Sequence, residues 1–227
     1  MKNTINIGIP SKGRLRKDVL KIFKRKKLKL ISERGERDLI GSIKNKKNLK
    51  MLYLHAREII ERLGDGSLDI GFSGFDLFKE SEFKTQKKIN LVKKYDFGKA
   101  NLVVAIPDPW IDVQTVADLE EIAFEFRDKK KKRLRVATKY PNLTRDFLFS
   151  KGVTQFQIVK SLGATEVYPF TGSANLISDI TSTGKTIKSN NLRILKDGEI
   201  LKSQACVFSS KKSFSKIGLK NIIKLFS

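Results

Sequence analysis

The run best equipped for chemistry is Asp179-Ile180-Thr181-Ser182-Thr183-Gly184-Lys185-Thr186. Small hydroxyl residues around a glycine let successive backbone N–H groups converge on a phosphate, and the hydroxyls of Ser182, Thr183 and Thr186 add hydrogen bonds. A helix starting here would contribute its exposed N–H groups and its dipole. Asp179 has the wrong charge to hold a phosphate, but a carboxylate beside such a loop is suited to accepting hydrogen bonds from sugar hydroxyls. The run lacks the Gly-x-x-x-x-Gly-Lys-[Ser/Thr] spacing of a P-loop, and an ordinary polar turn with capping residues has the same composition. A second candidate is Pro10-Ser11-Lys12-Gly13-Arg14, placed directly after the strand-like Ile5–Ile9. Lys12 and Arg14 are either phosphate contacts, one a point charge and the other a bidentate fork, or solvated charges at a helix start. Gly74 and Asp76 stand where another strand ends, and either shape a pocket or form a plain turn.

Positioning these groups requires strands that end in loops. Apolar periodicity predicts strands at 5–9, 28–31, 49–54, 68–72, 101–107, 134–137 and 156–159, with helices starting near Leu15 and over 56–63, 75–79, 113–122, 142–150 and 217–226. Segments 192–195 and 204–208 read as strands around a turn at Asp197-Gly198, and the lysine-rich stretch 129–133 as a surface turn. The unbroken apolar run Leu102–Ile106 predicts a strand buried on both faces. Alternating strands and helices indicate an α/β architecture with mostly parallel sheets.

The chain has 227 residues, 40% of them hydrophobic, which is enough for a large core. No stretch reaches the roughly 18 apolar residues of a membrane span, and no secretory signal is visible, so a cytoplasmic location is expected. A net charge of +23 attracts polyanions. Lysine runs such as Lys24–Lys27 and Lys129–Lys132 also coat solvated faces, and no nucleic-acid-binding signature accompanies them, so nucleic acid is not the expected partner. Cys206, alone of its kind and set in an apolar run, reads as a small buried hydrophobe. His55, the single histidine, reads as structural; one histidine makes a zinc site implausible. No Ser-His-Asp or Cys-His arrangement is present.

The wider pattern around the first loop carries a resemblance. Glu166, Gly172, Ala174, Ile177, Asp179, Ile180, Thr183, Gly184 and Thr186 match the spacing of the ATP phosphoribosyltransferase signature, with Ile187 where that family usually has leucine or methionine. Pro10–Leu15 is similar to the family's Pro-x-Lys-Gly-Arg-Leu loop, Asp69–Leu77 to its Asp-Leu-Gly-Ile-x-Gly-x-Asp segment, and Arg135–Arg145 to its Val-Ala-Thr-x-Tyr-Pro-Asn-Leu run. The matches fall in the family's order. Arg57-Glu58-Ile59-Ile60 departs from it by lacking a proline.

The resemblance implies a fold like the type II periplasmic binding proteins, with two α/β lobes around a cleft. Lobe I is expected over 1–98 plus 190–227 and lobe II over 99–189. It further implies attack of ATP on phosphoribosyl pyrophosphate (PRPP), the first step of histidine biosynthesis. Asp179, Lys12 and Arg14 are the implied catalytic groups; Asp179 with Ser182, Thr183, Gly184, Lys185 and Thr186 binds PRPP. Gly13, Arg14, Gly74, Asp76 and Tyr140 are assigned to ATP, though a core role for Tyr140 fits its sequence context equally well. Mg2+ is expected to ride on substrate oxygens and water, without a protein cage. A chain of this length resembles the family's short form, a homodimeric building block that assembles with a regulatory subunit resembling histidyl-tRNA synthetase. A solute-binding domain of the same fold and a charge-driven nucleic-acid binder are the rival readings.

Overall fold

The computed structural model describes residues 4–31 and 39–227. β1 (Ile5–Pro10) leads into α1 (Gly13–Arg25), followed by β2 (Leu30–Ile31), β3 (Ile40–Ile43), β4 (Lys46–Leu54), α2 (Ala56–Asp65) and β5 (Ile70–Gly74). The short helices α3 (Phe75–Glu80) and α4 (Phe83–Gln86) precede β6 (Ile89–Lys94). Then come β7 (Ala100–Pro107), α5 (Val116–Lys130), β8 (Leu134–Thr138), α6 (Pro141–Ser150), β9 (Phe156–Lys160), β10 (Leu176–Thr181), α7 (Lys185–Ser189) and β11 (Leu192–Ser203). β12 (Ala205–Ser210) and α8 (Leu219–Phe226) close the chain. No helix among the described residues is long and apolar enough to cross a membrane.

Two units result: residues 1–99 with 204–227, and residues 100–203. The first is a seven-stranded sheet in the order β2-β3-β4-β1-β5-β12-β6. Val19, Ile22 and Phe23 recur at helical spacing on α1 and, with Leu219, Ile222 and Phe226 of α8, bury one face of that sheet. Ile59, Ile60 and Leu63 of α2 cover the other face beside Cys206 and Phe208. Asp69, wholly buried just before β5, accepts the Asn6 N–H at 2.7 Å and the Lys216 ammonium at 2.8 Å. It therefore fastens the segment before α8 to the amino ends of β1 and β5.

The second unit is a five-stranded sheet in the order β11-β7-β10-β8-β9. Val104 and Ile106 of β7 enter one apolar cluster, and Val103 and Ala105 the other, so this strand is buried on both faces. α5 begins at Val116 because Thr115 and Asp118 form a capping box, and its first turn is thus fixed by side-chain chemistry.

Several sequence expectations require correction. The sheets are mixed rather than mostly parallel: β1–β4, β1–β5, β8–β9 and β8–β10 are parallel, while the other ladders are antiparallel. The return crossing falls between Ser203 and Gln204 instead of at 190, and the outward one between Lys99 and Ala100. The reason is β11, which pairs with β7 from Leu192↔Pro107 to Ser203↔Ala100 and buries Leu192 and Leu195 in the second unit. Asp197-Gly198 is not a hairpin turn; β11 runs through it with a bulge between Ile194 and Glu199. The Asp197 carboxylate explains why, since it accepts the Val116 N–H at 2.8 Å and meets Lys151 at 3.3 Å. Lys129 and Lys130 are helical rather than part of a turn. Lysine is a good helix former, and cations are favoured in a last helical turn.

Candidate active site

In the second unit, β10, β8 and β9 run parallel and side by side, so their carboxyl ends share one edge, where α/β sheets commonly bind ligands. Ser178 of β10 lies opposite Thr138 of β8. Their hydroxyls join through Thr144 of α6: Thr144 Oγ1 donates to Ser178 Oγ at 2.9 Å and lies 3.3 Å from Thr138 Oγ1, which accepts the Tyr140 N–H at 2.9 Å. Thr138, Thr144 and Ser178 are all wholly buried. One residue further along each strand come Lys139 and Asp179, with Nζ and Oδ2 3.8 Å apart. The other Asp179 oxygen accepts the N–H of Ile180 at 2.8 Å.

β10 ends at Thr181, and residues 182–184 turn into the single-turn helix α7. Gly184 has φ 72°, a left-handed conformation that disfavours any residue with a Cβ. Thr181 Oγ1 accepts the Gly184 N–H at 2.9 Å, and Thr183 Oγ1 accepts that of Lys185 at 3.4 Å. Thr181 and Thr183 thus shape the loop from within. Ser182, Thr183, Lys185 and Thr186 are exposed, and the N–H groups of the first turn of α7 lack partners four residues back. Buried Ile187 anchors that turn on an apolar cluster of the unit. Lys160, exposed at the end of β9, adds a cation to the same edge, and buried Ser161 bonds Thr165 at 2.9 Å.

In the first unit the carboxyl ends of β4, β1 and β5 are neighbours. Lys12, Gly13 and Arg14 follow β1 and are exposed; the Arg14 side chain is 83% exposed, with Nε 3.9 Å from Asp18. Ser11 donates its N–H to Leu54 O at 2.8 Å, and Arg16 holds the Ser11 carbonyl at 2.9 Å while lying over the Tyr53 ring. Ser11, Lys12, Leu15 and His55 help to line a depression of about 90 Å³. His55 Nδ1 accepts the Arg57 N–H at 3.3 Å and caps α2, a structural use of the single histidine. Gly74 ends β5. A Cβ there would stand 2.2 Å from Asp76 Oδ1, so only glycine admits the buried carboxylate of Asp76 behind it.

The residues singled out in the sequence therefore fall into two groups. Asp179, Ser182, Thr183, Gly184, Lys185 and Thr186 share one edge of the second unit; Lys12, Gly13, Arg14, Gly74 and Asp76 share one edge of the first. Tyr140 belongs to the second unit and is 6% exposed, so its ring is largely enclosed there. Sequence reading passed over Lys139, Lys160, Thr181 and Arg16. A cation within two residues of the end of a predicted strand is the available signal for the first two. Both edges present cations, hydroxyls and backbone N–H groups, a donor set for phosphorylated ligands, and the second adds a carboxylate able to accept from hydroxyls. Among the described residues, no three His, Cys, Asp or Glu side chains cluster as metal ligands.

Residues 55–227 match the family model HisG, described as ATP phosphoribosyltransferase. The ATP phosphoribosyltransferase of Nitrobacter winogradskyi is 45% identical over 213 residues, covering 94% of this chain but 66% of its own length. That of Rhizobium etli is 42% identical over 210 residues, covering 92% of this chain and 91% of its own. Among solved structures, a chain of the ATP phosphoribosyl transferase (HisG:HisZ) complex from Thermotoga maritima aligns with a TM-score of 0.75 at 25% identity, covering 98% of this chain and 95% of that one. The substrate binding protein of an amino acid ABC transporter aligns with a TM-score of 0.55 at 14% identity, over 97% of this chain and 91% of that one, a likeness of fold alone. The fold class expected from the sequence, a two-lobe α/β protein like the periplasmic binding proteins, agrees with these neighbours.

Proposed function

This chain belongs to the ATP phosphoribosyltransferase family, and from that premise we propose that it joins ATP to PRPP in the first step of histidine biosynthesis. N1 of the adenine attacks C1 of the PRPP ribose, pyrophosphate leaves with inversion at C1, and phosphoribosyl-ATP results. The observation that carries this reading is the hydroxyl-and-glycine loop 182–186 entering α7, with Asp179 on the strand before it.

Ser182, Thr183, Gly184, Lys185 and Thr186 receive the 5-phosphate. Asp179 accepts hydrogen bonds from the ribose hydroxyls, orienting C1 and stabilising the oxocarbenium-like charge that develops there. Lys12 and Arg14 are exposed cations suited to substrate phosphates, Arg14 by a bidentate fork. Gly13 and Gly74 shape the backbone near the nucleotide, and Asp76 and Tyr140, both largely buried, are assigned with them to the ATP subsite. The divalent ion of this reading is magnesium, which would supply charge neutralisation for the departing pyrophosphate. It would be held by substrate oxygens and water. By analogy with the Thermotoga maritima complex, a HisZ-like chain is the assigned partner. A regulatory role for that partner, a homodimeric catalytic chain and a cytoplasmic location are part of the same proposal.

The test combines ATP, PRPP, magnesium and pyrophosphatase with the protein, with and without a HisZ-like chain, and follows phosphoribosyl-ATP by absorbance. Asp179→Asn should lower kcat by roughly 100-fold or more while leaving the melting temperature near that of the wild type. Turnover undiminished in that variant would remove Asp179 from the mechanism. A wild-type protein that neither binds PRPP in calorimetry nor forms product under either condition would end the reading.

A further inference from the structure

We infer that Lys139 is a positioning residue of the PRPP subsite, whose ammonium offsets the Asp179 carboxylate so that a polyanionic sugar phosphate can settle beside it. The inference rests on the reading of Asp179 as the ribose acceptor. Phosphate and pyrophosphate groups on one ribose bring several negative charges towards a carboxylate that is only 16% exposed. Uncompensated, that carboxylate would repel the substrate it has to orient. Lys139 lies where compensation is needed, with Nζ 3.8 Å from Oδ2 and its side chain 37% exposed.

The distance matters as much as the sign. At 3.8 Å the two atoms attract through space but are too far apart for a hydrogen bond. The lone pairs of Oδ2 are therefore not consumed by the lysine and remain available to sugar hydroxyls. Oδ1 is already turned towards the Ile180 N–H, which leaves Oδ2 as the better acceptor. The pair is also held from below. Thr138 and Ser178, the residues immediately before Lys139 and Asp179, are joined through the buried Thr144 hydroxyl, fixing the two strand ends in register. Among the described ion pairs most join residues three or four apart on one helix or loop; this one joins neighbouring strands at the edge that carries the phosphate loop.

A charge that eases the approach of an anion acts on binding more than on turnover. Lys139→Met keeps the apolar stem and removes the charge. The KM and calorimetric Kd for PRPP should rise roughly tenfold, with kcat changed about twofold or less and the KM for ATP unmoved. Lys139→Arg should recover most of the loss, and the rise of KM for PRPP with added salt should be shallower in Lys139→Met than in the wild type. In an Asp179→Asn background, where no carboxylate remains to be offset, Lys139→Met should weaken PRPP binding by less than it does in the wild type. Lys139→Met with wild-type affinity for PRPP overturns the inference, as does an equal loss for ATP or a fall in melting temperature that accounts for the weaker binding. If Asp179→Asn abolishes turnover while Lys139→Met changes nothing, this inference alone falls. If Asp179→Asn retains wild-type turnover, the reading of the site beneath it falls instead.

Discussion

Replacing Thr144 with valine removes one oxygen from the interior of the second unit and keeps the shape of the side chain. Its Oγ1 is the only partner of the Ser178 hydroxyl among the described hydrogen bonds, and the second oxygen near Thr138 Oγ1. Thr138 keeps the Tyr140 N–H, whereas Ser178 is left orphaned in a wholly buried position. An unsatisfied buried hydroxyl costs about 1–3 kcal/mol, and about 2 kcal/mol is expected here. With a urea slope of about 2 kcal/mol/M, the unfolding midpoint should fall by about 1 M with the slope unchanged. Trp110, the single tryptophan, packs on an apolar cluster of the same unit, so its fluorescence reports this transition. Adding Ser178→Ala to the valine variant should recover part of the loss, because it removes the orphaned group. A midpoint within about 0.2 M of wild type, or a further loss on adding Ser178→Ala, would show that the three hydroxyls do not form the network described.

Two further outcomes follow from titratable groups. The N–H groups of Thr115 and Gln114 and the Thr115 hydroxyl hold the Asp118 carboxyl below its usual range. The unfolded chain therefore binds that proton more tightly, and the stabilisation is present above the ordinary carboxylate pKa and lost as pH falls through the depressed one. Asp118→Asn should flatten the acid decline of stability below about pH 4, and an unchanged decline in urea titrations would contradict the capping assignment. Burial pushes the Cys206 thiol up to about 12. At pH 8 the native protein should resist an aromatic disulfide reagent and react with it only in unfolding urea; rapid stoichiometric labelling of the native state would refute the burial.

Much of this architecture was legible along the chain because it is local. The run Leu102–Ile106 predicted a strand buried on both faces, and β7 is one. The glycine-and-hydroxyl loop could be read because every part of it lies within a few residues of Gly184. What escaped was non-local. Lys139 and Asp179 meet only because β8 and β10 are parallel neighbours, and no periodicity within either segment encodes that order. Asp197-Gly198 has the composition of a turn, yet the carboxylate is bound to the start of α5, far away in sequence, and the strand continues. The antiparallel ladders of β12 with β5 and β6 have the same origin, since β12 enters the first sheet only after the whole second unit has been traversed.

That late entry bears on how the molecule is made. Among the described residues, β6 is laddered to the first sheet only through β12, which occupies the place between β5 and β6. During synthesis on the ribosome, residues 100–203 emerge and can assemble as a contiguous unit while β5 still has an open edge and β6 still lacks its strand partner. Only when Ala205–Ser210 arrives does the earlier half close, a long-range ladder that costs time to form. Until then the nascent chain exposes a bare strand edge, the kind of surface that chaperones cover and that aggregates when they do not.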